Sequence, residues 1–444
     1  MFSRRILLTV AALVIATVPA NAQGLIRDAQ IERTLDSMVA PLVSAAGLPP
    51  GSVEIYIVDN REMNAFVIPG GRMFIHSGLI QRLERPDMLQ AVMAHEIGHV
   101  VSGHIAQRSV EAELNSRASL AGILLGVLAG AAGTPEAGIF IARGAAGAAA
   151  SGMLAYSRNQ ESSADQSSVR LLERAGIDPT AALDTQNLFR GQELLSSARI
   201  DPYARSHPLS SDRLDLMRRS AENSSMRGAR VSPALQDEYD RMRAKFDGFT
   251  LSPRTALDRV EGRTDMAARI QRAVALHRLP APAAAIDEID AAIAIEPRNP
   301  WLHELKGQFL IENGDAQAAI GPYRQAVALA PDAALLRAGL GQALLSLNTD
   351  AANREALQLL SQARETVVGT PVSLRALAEA YARTGDKPRA ALYTAERYAL
   401  GGAVTDALRF ARIARDGLPN GSPGWIRATE LMSTLERIQE RRGE

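Results

Sequence analysis

The chain has 444 residues, 46% of them hydrophobic and 22% charged, with 49 basic and 49 acidic side chains and no cysteine. That length calls for two or three domains with cores of their own. The even charge without a basic run excludes a nucleic-acid partner held through its phosphates, and the ordinary apolar fraction excludes a polytopic membrane protein. Lacking cysteine, the chain cannot form disulfides, thiolate nucleophiles or Cys-ligated clusters. A metal would have to be held by carboxylates and the seven histidines, His76, His95, His99, His104, His207, His277 and His303.

Residues 1–22 read as a signal peptide: Arg4 and Arg5, an apolar run from Ile6 to Val18, and an exit at Ala20-Asn21-Ala22. The run is short of the ~20 residues that a spanning helix needs. Its removal takes two arginines with it, so the mature chain is slightly acidic. The pattern looks bacterial, which makes the periplasm the expected compartment.

Residues 23–250 have mixed character. Val53, Ile55 and Ile57 alternate along Ser52–Val58, predicting a strand with those three on one face. Asn64–Ile68 and Arg72–Ile75 are further strands around a turn at Pro69-Gly70-Gly71. Asn64–Phe66 is expected either at the sheet edge, where an extended substrate could add as a strand, or in its interior.

A helix is predicted through Leu89, Val92, Met93, Ile97, Val100 and Val101, and it carries His95-Glu96-Ile97-Gly98-His99. Residues four apart share a helix face, so His95 and His99 can grip one zinc ion, with Glu96 turned toward a water on that ion. His104, nine residues past His95, falls on the opposite face of a continuous helix and reads as structural. His76, His277 and His303 are assigned to structure or surface.

Residues 118–155 are almost wholly apolar apart from Thr134-Pro135-Glu136 and Arg143, and too rich in glycine for a convincing membrane span. Two readings fit them: a buried helical hairpin over the active site, or a lid or peripheral contact with the membrane. A helix is next predicted up to about Gly176, with Glu161 and Asp165 on one face. Glu161 is the candidate third zinc ligand, and Asp165 would accept the free ring N–H of a ligand histidine and fix its tautomer. His207 precedes Pro208, which places it in extended chain between helices.

From residue 251 to 444 the strand signal disappears and a pattern repeats. Pro297 and Pro331 lie 34 residues apart, as do Ala273, Gly307 and Gly341, then Leu276, Leu310 and Leu344, and then Ala285 and Ala319. Three extra residues around Asn348–Asn353 precede Ala356, Leu360 and Ala363, and further units show at Ala378, Tyr381, Gly385 and Ala390 and at Ala407, Ala414 and Pro419. This period resembles the tetratricopeptide repeat, helical hairpins stacked into a solenoid with a groove for protein partners. The fold class is therefore α+β: a mostly helical zincin-type domain with a small sheet, followed by an all-α repeat solenoid.

His95-Glu96-x-x-His99 followed some sixty residues later by Glu161-x-x-x-Asp165, with Asn64-Ala65-Phe66 before and His207-Pro208 and Arg213 after, resembles the M48 family of zinc metallopeptidases. The resemblance implies one Zn2+ on His95, His99 and Glu161, with Glu96 as general base. It implies that His207 lies close to the zinc, either stabilising the transition-state oxyanion or occupying the fourth position in a latent state. Arg213 would anchor the same loop or stabilise developing negative charge, and the family gives the residue at Asp165 as a proton donor, a role less natural for it than orienting a histidine. The resemblance further implies substrates among outer-membrane β-barrel proteins and contact with their assembly machinery. The rival reading is a chaperone or scaffold for that assembly in which proteolysis is secondary.

Overall fold

A small mixed sheet lies beside the helix that carries the paired histidines. The computed structural model describes residues 24–105, 158–190, 201–208, 210–366 and 371–442. The expected signal peptide and the apolar stretch 118–155 lie outside the described residues. Strands β1 (Leu25–Ile26), β2 (Glu54–Val58), β3 (Ala65–Ile68) and β4 (Arg72–His76) stand in the order β1-β2-β4-β3. β2 and β4 run parallel, with Ile55 opposite Met73 and Ile57 opposite Ile75, and the outer pairs are antiparallel. The expected turn joins β3 to β4 with Gly70 and Gly71 at φ 88° and 75°. A Cβ on Gly71 would fall 1.9 Å from the Ser52 carbonyl oxygen, so no other residue fits there.

Ile57, Met73, Ile75 and Ala65 enter the main core from one face of the sheet. The other face is also covered: Tyr56, Val58 and Phe74 are buried, and the Phe74 ring stacks on Tyr56 and Phe66 at 5.3 and 5.2 Å. The face expected of Val53, Ile55 and Ile57 is borne out, since Val53 and Ile57 are buried in the main core and Ile55 packs against it. The cover on the other face of the parallel pair is what the alternation did not show.

Among the described residues, the helical part begins with α1 (Ala29–Ala45), α2 (Ser77–Arg82), α3 (Pro86–Val101), α4 (Arg158–Arg174), α5 (Thr180–Asn187), α6 (Pro202–Ser206) and α7 (Ser211–Glu222). α3 starts with a proline in its first turn and is buried from Pro86 to His99, so it is a core helix without a solvent face. α4 crosses it at Gly98, where an added Cβ would sit 2.9 Å from the Ala164 carbonyl oxygen. That glycine lets the two backbones touch. α4 closes just before Gly176, whose φ is 75°, which is the predicted end.

Helix α8 (Pro233–Thr250) and the short α9 (Pro253–Asp258) lead into five helical hairpins. These are α10 (Met266–His277) with α11 (Pro282–Ile295), α12 (Pro300–Glu312) with α13 (Ala316–Leu329), α14 (Ala334–Ser346) with α15 (Asp350–Thr366), α16 (Pro371–Arg383) with α17 (Lys387–Leu400), and α18 (Val404–Gly417) with α19 (Pro423–Arg442). The small residues of the repeat lie where the helices cross. A Cβ on Gly307 would meet the Tyr323 ring at 2.5 Å, one on Gly341 would meet Leu360 at 2.7 Å, and Ala273, Ala285, Ala319 and Ala356 are fully buried.

The hairpins are joined to the rest of the molecule by charge as well as packing. Lys245 on α8 is fully buried, with its Nζ 2.6 Å from Asp28, the N-cap of α1, and 3.1 Å from Glu304 on α12. Arg241 adds a two-pronged pair to Glu296, with both contacts at 2.7 Å. Among the described residues no helix is long and apolar enough to cross a membrane.

Candidate metal centre

The centre is assembled from three elements. α3 presents His95 and His99 one turn apart, with their Nε2 atoms 3.1 Å from each other. α4, held close at Gly98, brings Glu161 Oε1 to 3.4 Å from His99 Nε2 and Oε2 to 3.6 Å from His95 Nε2. The chain just after α6 delivers His207, whose Nδ1 lies 3.2 Å from His95 Nε2 and 2.9 Å from Glu161 Oε1. One ligand atom from each of these four residues falls within 4.8 Å of all the others, and all four residues are buried. Sequence placed three of them at a metal and left His207 two roles beside it. The structure brings all four together.

Glu96 is buried on the same side, with Oε1 3.4 Å from His207 Nε2 and the Val67 backbone of β3 as a further polar neighbour. Neither of its carboxylate oxygens makes a well-formed side-chain hydrogen bond. Asp165 Oδ1 lies 3.1 Å from His95 Nδ1, the ring nitrogen turned away from the cluster. Arg213 grips the same carboxylate, with Nε 2.7 Å from Oδ2 and Nη2 2.9 Å from Oδ1. Its Nη2 also lies 2.8 Å from Glu161 Oε2, and its Nη1 donates to the Pro208 carbonyl at 2.5 Å. Arg213 therefore contacts the His207 loop and both carboxylates.

Burial and charge set the protonation of these groups. Burial pushes Glu161 up, but the electrostatic influence of His207 and hydrogen bonds from His207 and His99 outweigh it and hold the carboxyl well below its usual range. Asp165 is likewise lowered against burial, by His95 and Arg213. Burial lowers His99 to about 3, keeping its ring neutral. Burial also raises Glu96, which suits a group that must take up a proton. At His95 burial acts downward, yet Asp165 and Glu161 raise it, so the two ionised carboxylates draw positive charge toward that ring. Imidazole and carboxylate donors around a shared focus are the set that a hydrolytic zinc takes, so the residues fit the metal.

One expectation about the histidines is corrected. His104 is not on the far side of α3, because the helix stops at Val101 and Gly103, at φ 71°, turns the chain back. His104 is buried against His99, Nδ1 to Nδ1 at 3.1 Å. His76 is buried under Phe66 and lowered to about 4 by desolvation. His277 pairs with Glu312 at 2.7 Å, and His303 bonds the Pro297 carbonyl, so these three stay away from the cluster.

Sequence reasoning missed Tyr203. It is buried, its ring centroid is 4.6 Å from that of His207, and its backbone N–H donates to the Met63 carbonyl just before β3. Only its place one helical turn before His207 could have suggested it. Asn64 immediately precedes β3, which contains Ala65 and Phe66 and stands at the end of the sheet order among the described residues.

Residues 27–221 match the sequence model of peptidase family M48. The chain is 26% identical over 424 residues to the beta-barrel assembly-enhancing protease of Yersinia pestis, covering 94% of this chain and 86% of that one. It is 28% identical over 153 residues to the mitochondrial metalloendopeptidase OMA1 of Schizosaccharomyces pombe, covering 32% of this chain and 39% of the relative. The crystal structure of MamA superposes on 38% of the chain and 96% of its own, with a TM-score of 0.29 and 15% identity, a likeness too slight to carry an argument. With the cluster of His95, His99, Glu161 and His207 at its centre, residues 27–221 are a peptidase family M48 domain, and the chain is a metalloendopeptidase.

Proposed function

We propose that the protein is a periplasmic zinc endopeptidase of envelope quality control, exported by residues 1–22, with a peptidase domain over 23–250 and a tetratricopeptide-repeat domain over 251–444. The observation that carries the reading is the convergence of His95, His99 and Glu161 beside the buried Glu96. His95, His99 and Glu161 would hold one Zn2+, which would supply a Lewis acid to polarise the scissile carbonyl and acidify water. Glu96 takes the proton from the attacking water and returns it to the leaving amine, and the upward push of burial on its pKa suits the first of these transfers. Asp165 holds the His95 ring through Nδ1, and Arg213 fixes Asp165 and the His207 loop together.

Of the two roles left to His207, the geometry favours the latent one. Its ring stands between Glu161 and Glu96, where an attacking water would need to be, and in that position it blocks the centre. The neighbouring Tyr203 N–H occupies the Met63 carbonyl at the entrance to β3, so displacing this segment would free the ligand position and the strand edge together. An extended substrate is then taken up along β3. The repeats supply a groove that concentrates protein targets near the centre.

The whole-length similarity to proteins named beta-barrel assembly-enhancing protease supports substrates among outer-membrane β-barrel proteins and contact with their assembly machinery. Metal analysis of the purified mature chain tests the metal reading: one zinc per chain is expected, with peptidase activity lost on chelation and restored by zinc. Metal bound equally well after Glu161→Gln and His95→Asn would refute the site.

A further inference from the structure

His104 is a buried histidine that the proposed mechanism leaves unused. Its position follows from the way α3 ends. Ser102 and Gly103 close the helix with backbone bonds to Gly98 and Val100, and the positive φ of Gly103 reverses the chain. The His104 ring then lies over the outer edge of His99, with centroids 5.2 Å apart at 65° and the two Nδ1 atoms at 3.1 Å. The opposite nitrogen of His99, Nε2, points into the cluster, 3.1 Å from His95 Nε2 and 3.4 Å from Glu161 Oε1.

A neutral imidazole that offers its Nε2 lone pair to a metal carries its proton on Nδ1, and that proton needs an acceptor in a site closed to water. For His95 the acceptor is Asp165. We infer that His104 is the equivalent positioning residue for His99: its unprotonated Nδ1 accepts the His99 Nδ1–H and fixes the tautomer that presents Nε2 to the metal. His104 must itself then be the Nε2–H tautomer. The two ligand histidines are thus oriented asymmetrically, one by an ionised carboxylate that adds charge to its ring and one by a neutral ring that adds none. The choice of a neutral acceptor leaves the centre no more negative than Glu161 and Asp165 make it.

This inference rests on the zinc reading above, and its test separates the two. Zinc affinity of the full mature chain is measured by competition with a chromophoric chelator for the wild type, His104→Leu and His104→Asn, with a thermal melt of each. Leucine removes the acceptor, while the Asn Oδ1 stands where His Nδ1 does. His104→Leu is expected to weaken zinc about 10- to 100-fold, and His104→Asn to stay within about threefold of wild type. In the wild type, loaded with zinc and labelled with 15N at histidine, long-range imidazole spectra are expected to show His99 protonated at Nδ1 and His104 at Nε2. That measurement decides the matter even if His104→Leu does not fold. A folded His104→Leu that binds zinc as wild type does, or a His104 protonated at Nδ1, would overturn the inference and leave the zinc reading intact. A wild-type chain that binds no zinc overturns both.

Discussion

Asp165 meets His95 on one side and the fork of Arg213 on the other, so a single carboxylate supports both a proposed ligand and the loop that carries His207. Asp165→Asn breaks a buried ion pair and is expected to cost about 3–5 kcal/mol of stability, read from denaturant unfolding, and to weaken zinc about 10- to 100-fold. The pH dependence has a definite sign. Asp165 and Glu161 are held below their unfolded values, so the stability they contribute is complete above the ordinary carboxylate range and is lost as pH falls through the lowered folded values. Wild type should therefore lose stability on acidification below about pH 4, where unfolded carboxyls begin to protonate. Asp165→Asn should show a shallower acid limb, and an equal slope in the two proteins would contradict the assignment. At this scale His95, Glu96 and His99 were legible because their spacing is local to one helix. Glu161 and Asp165 were legible because their spacing is local to another. His104 was misread because a single glycine two residues beyond the helix end, not the helical period, decides where its ring goes.

Among elements, the crossing of α3 and α4 brings Glu161 to His95 and His99, and Gly98 sets the crossing. Gly98→Ala places a methyl group 2.9 Å from the Ala164 carbonyl oxygen, with Ser167 Cβ at 3.3 Å, so the helices must part. The expected loss is about 1–3 kcal/mol, seen as a lower melting temperature. Weaker zinc binding should accompany it, since Glu161 rides on α4. A melting temperature unchanged with zinc affinity intact would show that the contact has room to relax. Strands β2, β3 and β4 were readable from their apolar alternation. β1 was not, since two residues carry no period, and neither was the burial of both faces of the parallel pair. The hairpins were readable because Gly307 and Gly341 stand where neighbouring side chains leave room for nothing larger.

Across the whole molecule, Lys245 ties α1, α8 and α12 together from a fully buried position. Burial alone would lower this lysine, but Asp28 and Glu304 raise it, so it stays charged. Lys245→Met leaves Asp28 and Glu304 facing each other without a cation and is expected to cost about 3–5 kcal/mol. Because the lost contact joins the hairpins to the peptidase part, unfolding should become less cooperative, with the repeats melting apart from the metal centre. A single sharp transition at the wild-type midpoint would argue against that coupling. No sequence period announces this joint: its three charged residues lie on separate elements, and a lysine on an amphipathic helix ordinarily reads as solvated.

The central claim is that buried Glu96 moves the proton in peptide hydrolysis while His95, His99 and Glu161 hold the metal. Glu96→Gln keeps the size and the burial of the side chain and removes only its basicity. The decisive measurement is cleavage of a misfolded outer-membrane β-barrel protein by the zinc-loaded Glu96→Gln chain, with bound zinc and melting temperature determined on the same sample. The account predicts wild-type zinc content, a native melt and proteolysis reduced by at least the ~100-fold that a general base contributes. Cleavage at the wild-type rate by that variant would contradict it.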